Sequence, residues 1–155
     1  MVARKAPAPA LLSLFLLVLF LTPVLVGCRR AEVKPTVETY TVSLLVQVSK
    51  EDIRWFRDVV VPKGTNAFEL TQQVTKGDLK AKWFSQYRSH FVEAIFGVEN
   101  KGKNFWLIWL WDEGEKKWTP LPVGADLFSL KNGHVLAWSY ADTSREPTPP
   151  PTVTP

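Results

Sequence analysis

The sequence predicts an α+β fold, in which a mixed sheet of about five to seven strands carries one short helix across one face. Two observations predict it. Apolar and polar residues alternate through most of the segment 39–142, and this is the period of a half-buried strand. A single stretch, directly after Asn66, combines helical spacing with a helix-start signal. The length of 155 residues allows one modest domain with additional segments.

The strands are predicted where alternating residues are bounded by turn-forming residues. They cover residues 40–48, 53–61, 79–83, 91–98, 104–111 and 134–140. Strands 91–98 and 104–111 are expected to form a hairpin, because only a short polar turn with a glycine separates them. Lys131-Asn132-Gly133 leads into the last strand, where the glycine can supply positive φ.

The helix prediction depends on its start signal. Asn66 is followed by Glu69 at the spacing of a capping box, which makes Ala67 the first helical residue. Leu70 and Val74 then fall on the same helical face as Ala67, and Gly77 suits the helix end. We therefore expect a short helix with one apolar face.

The first residues have the pattern of a targeting segment. Arg4 and Lys5 precede an apolar run over residues 11–26, and these 16 residues are fewer than the roughly 20 that a spanning helix needs. The run ends at Gly27-Cys28, which resembles the signal of bacterial lipoproteins. The resemblance implies a signal peptide at 1–27, lipidation of Cys28, and a domain on the extracytoplasmic side of a bacterial membrane. An ordinary N-terminal anchor with an incidental cysteine is the alternative.

Two polar segments bracket the predicted domain at 39–142. The polar composition of residues 28–38 predicts a tether between lipid and domain. Residues 143–155 hold five of the chain's 12 prolines, which predicts a disordered, extended, solvated tail. A polyproline ligand for a partner protein is the less favoured reading of this tail.

Charge and composition exclude several functions. Without residues 1–27 the chain keeps 17 basic and 15 acidic residues, and no Lys/Arg run exceeds two, so a nucleic-acid surface is not expected. One cysteine and two histidines, His90 and His134, leave no basis for a metal site, and we expect both histidines to be partly or fully exposed. The acids around Gly114 lie on one turn and do not form a hydrolase pair. The sequence thus predicts no enzyme, catalytic residue or resident cofactor.

From Phe91 onward the chain resembles the transcobalamin-like C-terminal domain, a β-grasp-type module of bacterial surface proteins and animal cobalamin carriers. The matching segments are Phe91-Val92 with Ile95 and Gly97-Val98, Phe105-Trp106, Thr119-Pro120-Leu121 with Gly124, Leu130-Lys131-Asn132-Gly133, and, upstream, Pro62 with Gly64-Thr65. Three features depart from the family: His134 stands in place of the usual Asp, the segment 111–118 is longer and more charged, and the helical barrel that completes the cobalamin cradle in the animal carriers has no counterpart. The resemblance implies a β-grasp-like sheet and a binding role.

Aromatic residues are the candidate functional group. Strand 104–111 is apolar on both faces, and one short helix can cover only one of them. The other face must then expose indoles or be buried against something else. Together with the positions that the resemblance implies, the ligand-binding candidates are Trp106, Trp109, Trp111, Trp118, Pro120 and Leu121. Two hypotheses follow: a module that captures a flat small ligand, corrinoid-like or saccharide, or an envelope protein-interaction module without a small ligand.

Overall fold

A computed structural model describes residues 36–155, which form one compact unit from Thr36 to Pro155. The predicted signal peptide, Cys28 and most of the tether lie outside the described residues. In chain order the elements are β1 (Thr39–Gln47), β2 (Ile53–Pro62), α1 (Ala67–Thr75), β3 (Leu79–Phe84), β4 (Ser89–Ile95), β5 (Val98–Glu99), β6 (Asn104–Asp112), β7 (Lys117–Pro120), a 3-10 turn (Ala125–Leu127) and β8 (Val135–Asp142). The α+β class is confirmed. No helix among these residues is long and apolar enough to cross a membrane.

The strands form two sheets. A five-stranded sheet has the order β2-β1-β8-β6-β7, and a three-stranded sheet has the order β3-β4-β5. All neighbouring strands are antiparallel except β1 and β8, which run parallel at the centre of the larger sheet. The mixed sheet that the sequence predicts is therefore present, with a second, smaller sheet beside it.

The predicted hairpin between residues 91–98 and 104–111 is wrong. The chain reverses at Phe96 and Gly97, both at positive φ, so that the predicted first strand divides into β4 and β5, which pair with each other. Strand β6 instead lies between β8 and β7 in the larger sheet. The chain between β4 and β6 reverses twice, once at Gly97 and once at Gly102, and the prediction recognised only the second reversal.

Helix α1 begins and ends as the sequence predicts. The Asn66 side chain accepts a hydrogen bond from the Glu69 backbone N–H at 2.8 Å, and the Glu69 carboxylate accepts one from the Asn66 N–H at 2.9 Å. The capping box stabilises the helix by about 1 kcal/mol. The chain leaves the helix through Lys76 and Gly77, both at positive φ.

The main core fills the space between the five-stranded sheet and a layer made of α1 and β4. The face of the sheet that meets this layer is called the inner face, and it contributes mainly Val42, Leu44, Val46, Trp106, Leu136 and Trp138. Phe68, Leu70 and Val74 come from α1, and Val92 and Ile95 come from β4. The helix and the small sheet together cover the inner face, which a single helix of nine residues could not do.

The opposite side of the five-stranded sheet, the outer face, carries a separate apolar cluster. Leu45, Trp109, Trp118 and Ala137 are buried in it, and Trp55, Leu107, Trp111 and Val153 pack against them. Val153 belongs to the C-terminal tail, residues 143–155. The prediction of a disordered, solvated tail is corrected here, because Pro151 is buried and two further tail residues hydrogen-bond to the sheet.

Candidate functional site

The six candidate residues separate into two locations. Trp106, Pro120 and Leu121 line a pocket at the edge of β6, and Trp111 and Trp118 lie on the outer face. Trp109 borders the pocket too, but its ring is buried in the outer-face cluster, where its indole donates to the Ser139 hydroxyl at 2.8 Å. No single surface unites all six. The pocket, called the edge pocket below, has a volume of about 400 Å³.

The edge pocket exists because β6 is longer than its neighbour β7. Strand β7 pairs with β6 only from Trp109 to Asp112 and ends at Pro120. One more backbone bond, from the Leu121 N–H to the Ile108 carbonyl at 3.1 Å, continues the contact. Beyond it the chain turns away through residues 121–125, which leaves a space between this loop, the edge of β6 and strand β4.

Asn100 joins the two sheets at one end of the pocket. Its amide donates to the Val92 carbonyl of β4 at 2.8 Å, and its side-chain oxygen accepts from the Trp106 N–H of β6 at 3.0 Å. The Trp106 indole donates to the Val98 carbonyl at 2.8 Å. These bonds fix the distance between β4 and β6 and therefore the width of the pocket. Trp106 is only 4% exposed, so the pocket receives a small part of its ring.

His90 forms the polar side of the pocket, and Asp126, which lies outside the pocket lining, holds it in place. The His90 ring Nδ1 lies 2.7 Å from Asp126 Oδ1, and the His90 backbone N–H donates to Asp126 Oδ2 at 2.7 Å. The Ser89 hydroxyl donates to the same Oδ2 at 2.9 Å. Burial disfavours ionisation of Asp126, but these hydrogen bonds outweigh it and lower the pKa of its carboxyl below 3.8. Asp126 is thus held as a carboxylate that orients the imidazole.

His90 lies in strand β4, where it is partly exposed and packs against two aromatic rings. The ring stacks on Phe68 with centroids 4.1 Å apart and planes 3° from parallel, and Trp83 meets it edge-on at 5.0 Å. Its side chain is 30% exposed. His90 is the ionisable residue in a lining that otherwise consists of apolar residues, Gly124 and Thr148. Alternation in β4 could have placed His90 on the inner side, but nothing in the sequence pairs it with Asp126.

Gly124 allows the loop to approach β4 closely. A Cβ at this position would lie 2.3 Å from the Ser89 Oγ and 2.6 Å from the Ser89 Cβ, which is closer than side-chain atoms can come. The close approach brings Asp126, two residues later, within reach of His90. Gly124 is one of the residues on which the family resemblance depends, and the close approach to Ser89 explains why this position requires glycine.

Trp111 and Trp118 have other roles. The Trp111 indole donates to Glu113 at 2.8 Å, and a hydrogen bond from Lys116, with the Trp111 bond adding to it, lowers the pKa of the Glu113 carboxyl. Trp118 is 7% exposed, meets Trp111 edge-on at 5.2 Å, and donates its indole N–H to the Val153 carbonyl. Both belong to the surface that the tail covers.

Sequence reasoning missed three exposed aromatic residues of the β3–β4 hairpin, one of which lines the pocket. Phe91 is 44% exposed and lines the pocket, Trp83 is 50% exposed, and Tyr87 in the β3–β4 turn is 67% exposed. The alternation of β4 indicated that Phe91 and Val92 face opposite sides, yet it did not show which one meets solvent. Among the described residues, no three His, Cys, Asp or Glu side chains lie close enough to hold a metal ion.

Comparison with known proteins gives similarity in fold. No protein-family model and no curated protein sequence matches the chain. Haptocorrin, solved in complex with Cbi, superposes with a TM-score of 0.53 at 16% identity over 69% of this chain and 26% of haptocorrin. The chain therefore spans about a quarter of haptocorrin's length. A "putative metal binding protein" from Ruminococcus gnavus superposes with a TM-score of 0.50 at 12% identity, over 64% of this chain and 94% of that one. At these identities the similarity supports the fold of the transcobalamin-like resemblance.

Proposed function

We propose that the chain is a lipid-anchored, extracytoplasmic binding module that captures a flat small ligand, corrinoid-like or saccharide, in the edge pocket. The observation that carries the proposal is the open apolar pocket of about 400 Å³ between β4 and β6. This volume falls in the range of about 300–1,000 Å³ that is typical of small-molecule sites. The fold similarity to haptocorrin, which was solved with bound Cbi, supports a binding role.

The lining suits a ring with an apolar face and polar edge groups. Ile108, Leu121 and the exposed part of Trp106 supply apolar contact. The one hydrogen-bonding side chain at the rim that is both fixed and ionisable is His90, whose Nδ1 is occupied by Asp126. Its Nε2 has no hydrogen-bond partner among the described residues, so a polar substituent of the ligand can bind there. Few, fixed polar groups in an apolar wall orient a ligand without a large desolvation cost.

A second candidate function, an envelope protein-interaction module, is favoured by the exposed aromatic residues beside the pocket. Trp83, Tyr87 and Phe91 lie on one hairpin and remain about half exposed or more, with Trp83 and Phe91 on its opposite faces. Aromatic residues are enriched at protein interfaces. In this reading the pocket would receive a partner's side chain rather than a free ligand.

The two functions differ in a titration of the unit Thr36–Pro155. Cobinamide and a panel of soluble glycans are added while tryptophan fluorescence is followed. A pocket ligand should quench or shift the emission, and Leu121→Lys should weaken binding at least about tenfold, because it places a charge in the apolar pocket. Leu127→Lys is the matched control, since Leu127 is 48% exposed and lies outside the pocket lining.

Binding that Leu121→Lys leaves unchanged would contradict the pocket as the site. A different result would support the protein-interaction function in place of the small-ligand function. In that case neither cobinamide nor a glycan binds the wild type, and a photo-reactive aromatic residue introduced at Tyr87 crosslinks to a partner protein in intact cells.

The anchor is tested separately through Cys28. Substitution to Ser should leave an uncleaved, unlipidated precursor, because the cysteine sulfur is the atom that receives the lipid. Metabolic labelling with a fatty-acid analogue and the size of the mature chain measure this. Normal processing of the Ser variant, or labelling that persists, would contradict the lipoprotein assignment and leave the pocket proposal untouched.

A further inference from the structure

The C-terminal tail is bound to the outer face by side chains that form hydrogen bonds with its backbone. Gln47, only 6% exposed, uses both ends of its amide: Nε2 donates to the Thr152 Oγ1 at 2.7 Å, and Oε1 accepts from the Thr152 backbone N–H at 2.9 Å. The Trp118 indole donates to the next carbonyl, that of Val153, at 2.7 Å. Three hydrogen bonds therefore hold two consecutive residues.

Apolar contacts flank these bonds. The Val153 side chain joins the outer-face cluster around Trp118 and Leu45. Pro151 is buried, although its neighbour Pro150 is exposed. Pro149 and Pro150 border a space of about 200 Å³ at the ends of β1 and β8. The tail thus presents prolines, then the hydrogen-bonded N–H of Thr152, then the aliphatic side chain and the hydrogen-bonded carbonyl of Val153.

This pattern is how proline-rich segments are recognised in general. An extended proline-rich chain has little conformational entropy to lose, docks beside aromatic rings and offers its carbonyls to indole N–H donors. Here the indole of Trp118 and the amide of Gln47 are both oriented and almost fully buried, and they meet a segment in which three prolines precede the bonded residues.

We propose that the outer face is a recognition site for an extended, proline-rich segment of a partner protein, and that residues 149–153 of this chain occupy it while the partner is absent. The tail is tethered, so its effective concentration at the site is in the millimolar range. A partner segment must compete with the tail, so it binds only when its own affinity and concentration are high enough to displace the tail. This site adjoins the edge pocket, because Trp109 of the outer face and Thr148 of the tail also border that pocket, but the inference does not depend on the function proposed for the pocket.

The test uses the unit Thr36–Pro155 with a tail that no longer docks. Thr152→Pro removes both the N–H and the hydroxyl that Gln47 binds. The matched control is Thr154→Pro, the same substitution at an exposed residue without a hydrogen bond among the described residues. A synthetic peptide with the sequence of residues 145–155 is titrated into each protein. The indole N–H resonance of Trp118 reports whether the site is occupied.

The peptide should bind the Thr152→Pro protein at least about tenfold more tightly than it binds the wild type or the control, since the cis tail no longer competes. Adding Gln47→Leu to the Thr152→Pro protein should reduce that affinity about tenfold or more. If the tail of Thr152→Pro stays docked, the double variant Thr152→Pro, Val153→Asp is used in its place.

Three results would overturn the proposal. The first is absence of peptide binding to a protein whose Trp118 resonance shows a vacated site. The second is a tail that stays docked in the double variant as well, because the named contacts would then not hold it. The third is concentration-dependent dimerisation of the wild type through exchanged tails, which would make a second copy the occupant.

Discussion

The link between α1 and the five-stranded sheet can be tested through one buried hydroxyl. The Trp138 indole donates to Thr71 Oγ1 at 2.8 Å, and that hydroxyl in turn donates to the Ala67 carbonyl at 2.8 Å. Thr71 is fully buried and Trp138 is 4% exposed. Thr71→Val keeps the shape of the side chain and removes the acceptor, so the indole N–H is left buried without a partner.

The size of the effect follows from a matched position one turn later. Thr75, 4% exposed, donates its hydroxyl to the Thr71 carbonyl at 2.8 Å, shares it with the Gln72 carbonyl at 3.3 Å, and accepts no hydrogen bond from a described residue. Thr75→Val therefore loses one ordinary hydrogen bond, worth about 1 kcal/mol or less. Thr71→Val loses the same kind of bond and also orphans the indole, which costs about 1–3 kcal/mol more. The difference between the free energies of unfolding of the two variants therefore gives the contribution of the hydrogen bond from the Trp138 indole.

Urea unfolding of the unit Thr36–Pro155 at pH 7, followed by far-UV circular dichroism, measures both free energies of unfolding. Thr71→Ser should recover most of the indole contribution, because it restores the hydroxyl. Equal destabilisation by Thr71→Val and Thr75→Val would refute the reasoning, since it would mean that the Trp138–Thr71 bond contributes nothing net to the packing of helix on sheet.

Two further predictions concern the loop beside the pocket and the start of β8. Gly124→Ala should lower the free energy of unfolding by about 1–3 kcal/mol, because its Cβ would overlap Ser89, whereas Gly114→Ala, whose Cβ would meet its nearest neighbour at 3.4 Å, should be nearly neutral in the same urea assay. Burial, with a nearby lysine adding to it, lowers the pKa of His134 below 6.5, so the unfolded chain binds more protons than the folded one below that pH. Stability should therefore decrease as the pH falls from about 6.5 towards the lowered pKa, and unfolding at pH 7.5 and 5.5 should show a smaller decrease for His134→Gln. An identical decrease in both proteins would contradict the role of His134.

Local sequence signals predicted the elements of the fold well. The capping box of Asn66 and Glu69 fixes the start of α1 through bonds between residues three apart. Period-2 alternation likewise located β1, β2, β6 and β8 to within a few residues. The error at residues 91–111 arose because a turn at Phe96 and Gly97 looks locally like the end of any strand, and pairing partners are not local information.

The candidate site was predictable only in part. Trp106, Pro120 and Leu121 do line the edge pocket, but the sequence could not distinguish them from Trp111 and Trp118 on the outer face or from Trp109, which belongs to both. Both sets are apolar residues in neighbouring strands. Which of them borders open space depends on where β7 ends relative to β6, and strand pairing sets that.

The sequence by itself determined where strands and helix begin, that strand 104–111 is apolar on both faces, and that one short helix is too small to cover both faces of the sheet. Only the tertiary structure decided what covers the outer face: the indoles pack over the sheet, and Gln47 and Trp118 bind the tail from more than thirty residues away. It also decided that Asp126 holds His90. Contacts of this kind depend on distance in space, and no periodicity along the chain encodes them.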